Sequence, residues 1–291
     1  MDMMLGLIGF GEAGRTFAVA GDWGGARVYD RLTDSVASRD AKHAEYAAAG
    51  VTGCERLEQA VGTSPIILSL VTADQVLTAA TAAAATIMPG ALYCDLNSVA
   101  PDTKRAAAAL IHRAHGRYVD VAVMAPVNPA RLSTPLLLSG PNARDAQAAL
   151  AALGFTKIEI VGDEIGRASS IKMIRSVIVK GIEALTAECL LAAEAAGVSA
   201  QVLASLDASE RTGGWSARAD YNLDRMMIHG LRRAAEMEEV VKTLDALGTG
   251  SAMTRGTVER QRAIGALGLD HPAQGLAAKI DQINENRTRA T

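Results

Sequence analysis

The stretch LGLIGFGEAGRTFA, residues 5–18, constrains this chain more than any other. A short apolar run, read as a strand, leads directly into Gly9-x-Gly11-x-x-Gly14 and then into a helical pattern. Gly9 permits the tight turn, Gly11 lets the backbone approach a pyrophosphate, and Gly14 lets helix and strand pack closely. Phosphates would rest on the helix N-terminus, where free N–H groups and the helix dipole favour an anion. Gly9, Phe10, Gly11, Glu12, Ala13 and Gly14 are therefore the candidate phosphate-side contacts. Glycine-rich turns are common and many bind nothing, so a second element matters. Asp30 ends the next strand, ARVYD, 21 positions after Gly9, where an acid would hydrogen-bond a ribose diol. A strand-end Asp can also simply cap the following helix. Fingerprint and acid together predict dinucleotide binding.

The same residues bear on which dinucleotide. A carboxylate at Asp30 would repel a 2′-phosphate and favours NAD, whereas Arg31 could welcome that phosphate and leaves NADP open. S-adenosylmethionine enzymes use a similar glycine turn and strand-end acid, so a methyltransferase is a rival at this point.

The rest of the first half fits such a domain. LGLI (5–8), ARVY (26–29), PIILSLV (65–71), ALYCDL (91–96), YVDVAVM (118–124), PLLLS (135–139) and IEIV (158–161) read as strands. Helix-like stretches lie between several of them, at Asp34–Ala49, Ala73–Thr86 and Asp102–Ala114. Strands apolar throughout, alternating with helices, point to a mostly parallel sheet covered on both faces. After Val161 the pattern becomes helical only, rich in Ala, Leu, Met and Glu. The expected organisation is an α/β Rossmann-type domain over residues 1–163 and an all-α domain over residues 164–291, with a long helix from Gly166 as the join.

Composition narrows the function. Of 291 residues, 49% are hydrophobic and 21% charged, which suits an ordinary globular protein of two domains. A net charge of −3 and a pI near 6.0 argue against a nucleic-acid partner, which would need a basic patch. No 18-residue apolar run exists, so no membrane span is expected, and MDMMLGLIGF has Asp2 where a signal peptide has basic residues. Cys54, Cys94 and Cys189 fit neither a disulfide framework nor metal-ligand spacing, so a cytoplasmic protein without a metal is expected.

In an open parallel sheet, ligands bind beyond the carboxyl ends of the strands. Those ends carry Val71, Thr72, Asn97, Ser98 and Met124. Asn97 and Ser98 could contact a cofactor or, equally, start a helix. Asp120, inside an apolar strand, is either a satisfied structural carboxylate or part of an active-site floor.

The stretch GRASSIKMIRS (166–176) puts Lys172 near the start of a helix, with Ser176, Lys180 and Glu183 on roughly the same face. Arg175 lies three residues on and could share a pocket with it, and clustered cations lower a lysine's pKa. A solvated face with a Lys180–Glu183 pair is the plain alternative. Because this helix begins where the first domain ends, its first turns are expected beside the cleft between domains.

The combination resembles the β-hydroxyacid dehydrogenases, relatives of 3-hydroxyisobutyrate and 6-phosphogluconate dehydrogenases. GLIGFGEAG is similar to their N-terminal fingerprint, DLNSVAP to their D-x-S-T-x-x-P cofactor-side loop, and DVAVMAP with STPLLLSG to their D-A-P-V-S-G segment and the next strand. GRASSIKM resembles their G-x-x-x-x-x-K motif. The resemblance implies that Lys172 is the catalytic acid/base and that the nicotinamide of NAD, or NADP, lies near Asn97, Ser98 and Met124. Two departures stand out. Met124 occupies the place of a serine that holds the substrate carboxylate, and Arg175 and Ser176 replace two asparagines. Arg175 could act instead as a bidentate anion clamp.

In the second half, KGIEAL (180–185) and HGLRRAAEMEEV (229–240) resemble the C-terminal domain of a phosphogluconate-dehydrogenase-like subgroup of mostly unassigned substrate. His229, Arg232 or Arg233, and Glu236 share a helix face, either closing a substrate pocket or forming a surface or subunit contact. Trp215 could line a pocket, although an isolated Trp is more often core; Met226 and Met227 read as packing. The expectation is a nicotinamide-dependent dehydrogenase of a small hydroxy acid or sugar acid. Met124, Arg175, Ser176, His229 and Arg232 would face an anionic substrate, and the helical domain would form a homodimer. An imine reductase and a non-catalytic dinucleotide-sensing protein are the alternatives, and the helical second domain disfavours the methyltransferase.

Overall fold

A computed structural model describes residues 4–209 and 214–289; inside the helices, the side chains of residues 183, 236, 239, 242, 246 and 289 are not described. The expectations placed on Asp2, and on the side chains of Glu183 and Glu236, lie outside the described residues. The chain divides into two compact units, 1–177 and 178–291.

The first unit is built on one eight-stranded sheet in the order β3-β2-β1-β4-β5-β6-β7-β8. Its strands are β1 (Leu5–Ile8), β2 (Arg27–Tyr29), β3 (Thr52–Gly53), β4 (Ile66–Ser69), β5 (Leu92–Asp95), β6 (Arg117–Val123), β7 (Leu136–Ser139) and β8 (Ile158–Gly162). All seven runs predicted as strands are strands. Only β3 is new, and at two residues it is too short to show a period. Every pairing is parallel except β6 with β7. A seven-residue β6 of RYVDVAV can reach its antiparallel neighbour without a crossover helix.

The helices are α1 (Glu12–Ala20), α2 (Val36–Ala48), α3 (Leu57–Val61), α4 (Val76–Ala84), α5 (Pro101–Arg113) and α6 (Ala143–Ala152). Alternate strand residues supply two separate cores. Leu5, Leu7, Ile66, Leu68, Leu92 and Cys94 pack on one face of the sheet, with Phe17, Trp23 and Phe155. Ile8, Ile67 and Tyr93 pack on the other, with Val76, Ala80 and Ile111. Burial on both faces is why these strands are apolar without alternation. The Trp23 indole N–H also donates to the Leu153 carbonyl at 3.0 Å, tying the end of α1 to the end of α6.

A 29-residue helix, α7 (Arg167–Ala195), follows β8, and the division between the units falls inside it, after Val177. The second unit adds α8 (Ser199–Ser209), α9 (Trp215–Leu247), α10 (Ala252–Gly265) and α11 (Leu276–Arg289). Its main packing is α9 against α10, where Gly230 and Gly265 face each other so closely that a Cβ on Gly230 would lie 2.8 Å from the Gly265 Cα. Met227, Leu269 and Ile283 form a small core there. The Glu188 carboxylate caps α10, accepting from the N–H groups of Met253 and Thr254 at 2.9 Å and from the Thr254 hydroxyl at 2.6 Å. Burial pushes its pKa up, but these donors outweigh burial and hold it below the usual carboxylate value. Among the described residues, no helix is long and apolar enough to cross a membrane.

Candidate functional site

The turn after β1 has the geometry that its glycines predict. Gly9 adopts φ +91°, and a Cβ there would come within 2.5 Å of the Leu70 carbonyl oxygen. Only glycine tolerates both conditions. A Cβ on Gly14 would meet the Gly9 carbonyl at 2.9 Å, the close helix–strand contact expected of the third glycine. Gly11 differs, since a Cβ there would touch nothing within 4 Å. It is the N-cap of α1 and makes no side-chain cap bond. Open space in front of an uncapped helix N-terminus is a cradle for an anion.

Beside this turn lies a cavity of about 510 Å3, lined by Gly9, Gly11, Asp30, Arg31, Val71 and Thr72, among others. The sequence brought these six forward as candidates from three separate segments, and the parallel β2-β1-β4 order places them around one space. Asp30 does two jobs at its rim. Its Oδ2 accepts the Phe10 N–H at 2.7 Å, and its Oδ1 accepts the Leu32 N–H at 3.0 Å, capping a short 3-10 turn. Each carboxylate oxygen keeps a second lone pair for a diol. Tyr29, also on the lining, donates its hydroxyl to Asp34 at 2.7 Å. Burial, and then that carboxylate, pushes the phenol well above its usual pKa, so it stays protonated.

Lys42 lines the same cavity and was not singled out from the sequence. It is buried on α2, and its Nζ donates to the Phe10 carbonyl at 3.1 Å and to Glu45 at 2.7 Å. The signal was available in its place beside Tyr46 on the inward face of α2.

Two of the candidates shape the site instead of presenting a side chain to it. Phe10 is fully buried, stacks at a tilt on Tyr46, and has given its N–H to Asp30. Asn97 is also buried: its Oδ1 accepts the Val71 N–H at 2.7 Å, while its Nδ2 donates to Ser69 at 3.0 Å and to Asp95 at 2.7 Å. Its amide therefore stitches the ends of β4 and β5 together. Glu12 is exposed and accepts from Asn128 at 3.1 Å, and Ala13 packs partly against the core.

Further along the carboxyl edge of the sheet, Ser98 is exposed and receives a 2.5 Å hydrogen bond from the Lys172 Nζ. This is the contact that matters most, because the two residues are 74 positions apart in the chain. Lys172 is half-buried on the second turn of α7. Gly166 lets that helix begin where it does: it has φ +99°, and a Cβ there would lie 3.1 Å from the Pro101 Cβ at the start of α5. Met124 is half-buried at the end of β6, with its N–H on the Pro135 carbonyl at 2.9 Å. Arg175 is exposed one turn beyond Lys172, and the Ser176 hydroxyl is turned back onto the Lys172 carbonyl at 2.9 Å. In the second unit, on α9, His229 is half-buried, Arg232 exposed, and Trp215 57% exposed and so not core. Met227 is core, as expected.

The structure also settles the role of Asp120. Its carboxylate is wholly buried and accepts from the Ser169 N–H at 3.0 Å, the Ser169 hydroxyl at 2.5 Å and the Ser139 hydroxyl at 3.1 Å. Ser139 in turn accepts the Ala168 N–H at 3.0 Å. Asp120 is thus a satisfied structural carboxylate set against the first turn of α7, where the helix dipole favours it. A lysine unremarked in the sequence stands next to it. Lys104, fully buried on α5, donates to the Asp95 carbonyl at 2.6 Å and carboxylate at 2.9 Å, with Asp120 at 3.4 Å. Tyr118 donates to the other Asp95 oxygen at 2.7 Å, and burial, then the Asp95 charge, raises its pKa far above the usual value. The sequence did carry a sign of Lys104, which shares a helical stripe with the buried Ala107, Ala108 and Ile111.

Comparisons with known proteins agree with this geometry. Residues 4–161 match the family described as the NAD binding domain of 6-phosphogluconate dehydrogenase, and residues 193–264 match a domain of unknown function (DUF1932). A conserved hypothetical protein from Sinorhizobium meliloti 1021 is 35% identical, with 98% of this chain and 97% of that one covered, at a TM-score of 0.61. A conserved protein of unknown function, described as structurally similar to 3-hydroxyacid dehydrogenases, is 28% identical over 99% of both chains, at a TM-score of 0.57. The fold is also that of an imine reductase from Myxococcus stipitatus in complex with NADP+, at 19% identity, 97% and 99% coverage and a TM-score of 0.72.

Proposed function

We propose a reaction from one premise: the chain belongs to the family of the NAD binding domain of 6-phosphogluconate dehydrogenase. That family is one of oxidoreductases, and the proposed reaction is hydride transfer between a nicotinamide cofactor and a small hydroxy acid or sugar acid. The observation that carries this reading is the Lys172–Ser98 contact, which puts an ammonium group on the carboxyl edge of the same sheet as the glycine cradle.

The residues present fit a dinucleotide. The N-terminus of α1, open at Gly11, would hold the pyrophosphate. Asp30 would take the ribose diol, and Arg31 on the cavity lining would meet a 2′-phosphate if one is present. When bound, the nicotinamide supplies the hydride acceptor for oxidation or the donor for reduction. In oxidation, Lys172 as its neutral amine accepts the substrate hydroxyl proton and becomes an ammonium as the C–H bond yields its electron pair; in reduction, the ammonium returns that proton to the forming alkoxide. Ser98 holds the lysine Nζ in place. Arg175 clamps an anionic group on the substrate, and Met124 gives the pocket an apolar wall.

Lys172→Ala should bind NADH as the native protein does and lose at least about a hundredfold in turnover, the lower end of what a positioned acid–base group contributes. Near-native turnover in a screen of hydroxy acids would overturn the assignment.

One observation favours imine reduction as a second reading. An apolar Met124 stands where a carboxylate-holding serine would suit a hydroxy acid, and the fold is shared with imine reductases. Cyclic imines with NADPH, run beside hydroxy acids with NAD, separate the two. A cationic lysine suits an alcohol or alkoxide better than an iminium, so the acids are expected to be turned over. The exposed apolar side chains Leu203, Leu206 and Leu231 of the helical unit support a homodimer, which sedimentation would detect.

A further inference from the structure

We propose that the buried frame Asp95–Lys104–Asp120 is a positioning device that sets the Lys172–Ser98 contact from inside the sheet. The inference rests on Lys172 being the acid–base group.

Lys104 lies at the centre of the frame, fully buried, between two fully buried carboxylates. What the other bonds of these carboxylates reach is the informative part. Asp95 Oδ1 accepts the Asn97 N–H at 2.9 Å and the Asn97 Nδ2 at 2.7 Å, so it fixes the segment that carries Ser98 one residue later. Asp120 fixes Ser169 through both its N–H and its hydroxyl, one helical turn before Lys172. Ser139 joins Asp120 to the Ala168 N–H and closes the same end of α7. Lys104 links the two carboxylates, so a shift of either segment is opposed through one buried cation.

The charges fit this role. Two carboxylates against one ammonium leave an excess negative charge in a region closed to bulk solvent. The amide N–H groups at the N-terminus of α7 face that excess, an arrangement that favours α7 starting there and nowhere else. A purely stabilising core could use apolar side chains at less desolvation cost. Here the polar bonds converge on the two segments that meet at Lys172 and Ser98, together with Tyr118 alongside.

The test reads Lys172 directly and needs no substrate. The folded protein is pulse-labelled with acetic anhydride near neutral pH, and acetylation of the Lys172 peptide is compared by mass spectrometry with that of Lys157, an exposed lysine of the same unit. Native protein, Ser169→Ala, Ser169→Thr and Asp120→Asn are compared, each with an NADH titration as a check of the fold. Loss of the Ser169 hydroxyl should free Lys172 from Ser98 more often and raise its labelling relative to Lys157 about tenfold, the order of one hydrogen bond to a charged group. Ser169→Thr keeps the donor and should return the ratio towards native. Asp120→Asn should raise it at least as far as Ser169→Ala.

An unchanged ratio in Ser169→Ala overturns the proposal. So does an equal rise at both lysines, which would mean general loosening. If Asp120→Asn does not fold, the serine pair decides alone. The outcome is separable from the catalytic assignment, because turnover that survives Lys172→Ala would remove the reaction while leaving the labelling result to judge the frame.

Discussion

Replacing Lys104 by Met keeps most of the side-chain volume and removes only the cation. Lys104 and the carboxylates of Asp95 and Asp120 are all fully buried, so bulk solvent does not reach them to take over. Breaking a buried ion pair by removing one partner costs about 3–5 kcal/mol. The low end applies here, since Asp95 keeps donors from Asn97 and Tyr118 and Asp120 keeps donors from Ser139 and Ser169. The first unit should therefore lose about 3 kcal/mol. With a urea slope of about 2–3 kcal/mol/M, its midpoint should fall by about 1–1.5 M. Trp23, buried in that unit, reports its unfolding once Trp215→Phe removes the only other indole. Adding Asp95→Asn to Lys104→Met removes one uncompensated charge. The new amide oxygen can still accept from Asn97 while its NH2 faces the Tyr118 hydroxyl, so part of the loss should return. A midpoint within about 0.3 M of native, or a further fall on adding Asp95→Asn, would refute the claim that an unpaired buried charge is the cause.

Three shorter predictions follow from the cofactor site and the thiols. Gly11→Ala meets open space, so the urea midpoint should hold while NADH affinity, read by energy transfer from tryptophan, drops at least about tenfold; equal affinity would mean that the cradle at Gly11 is not where the pyrophosphate sits. Arg31→Ala should weaken NADPH and leave NADH nearly untouched, and Asp30→Asn should weaken NADH; parallel losses of both dinucleotides in Arg31→Ala would exclude a 2′-phosphate contact. Burial pushes the Cys94 thiol up to about 12, so it stays protonated and unreactive at pH 8, and Cys54 is buried as well, whereas Cys189 is exposed. Ellman's reagent should therefore modify one thiol per native chain and three after unfolding, and two fast thiols would contradict the burial of this core.

The division between what the sequence decided and what the fold decided follows the range of the forces involved. Seven of the eight strands were legible because each is a short, mostly apolar run, a local pattern that burial in a largely parallel sheet imposes. The cradle was legible because the spacing of Gly9, Gly11 and Gly14 between a strand and a helix is itself a local pattern, although the Leu70 carbonyl that crowds Gly9 comes from the neighbouring strand. Asp30 at the end of β2 and Lys172 on α7 could be named, but not what they touch. Asp120 could be read either as structural or as site floor, and its neighbours show why: Ser139 and Ser169 lie 19 and 49 positions along the chain. Asn97 could be read as a cofactor contact or as the start of a helix, and its side chain braces β4 against β5, a pairing no local pattern encodes. Lys104 passed unremarked because a lysine among alanines suggests solvent until the sheet covers it. The Lys172–Ser98 contact joins residues 74 positions apart. Sequence thus determined which segments would be strand, helix and phosphate turn; the tertiary structure alone paired the buried charges, because a charge is satisfied by whatever the fold brings within 3 Å of it, at any distance along the chain.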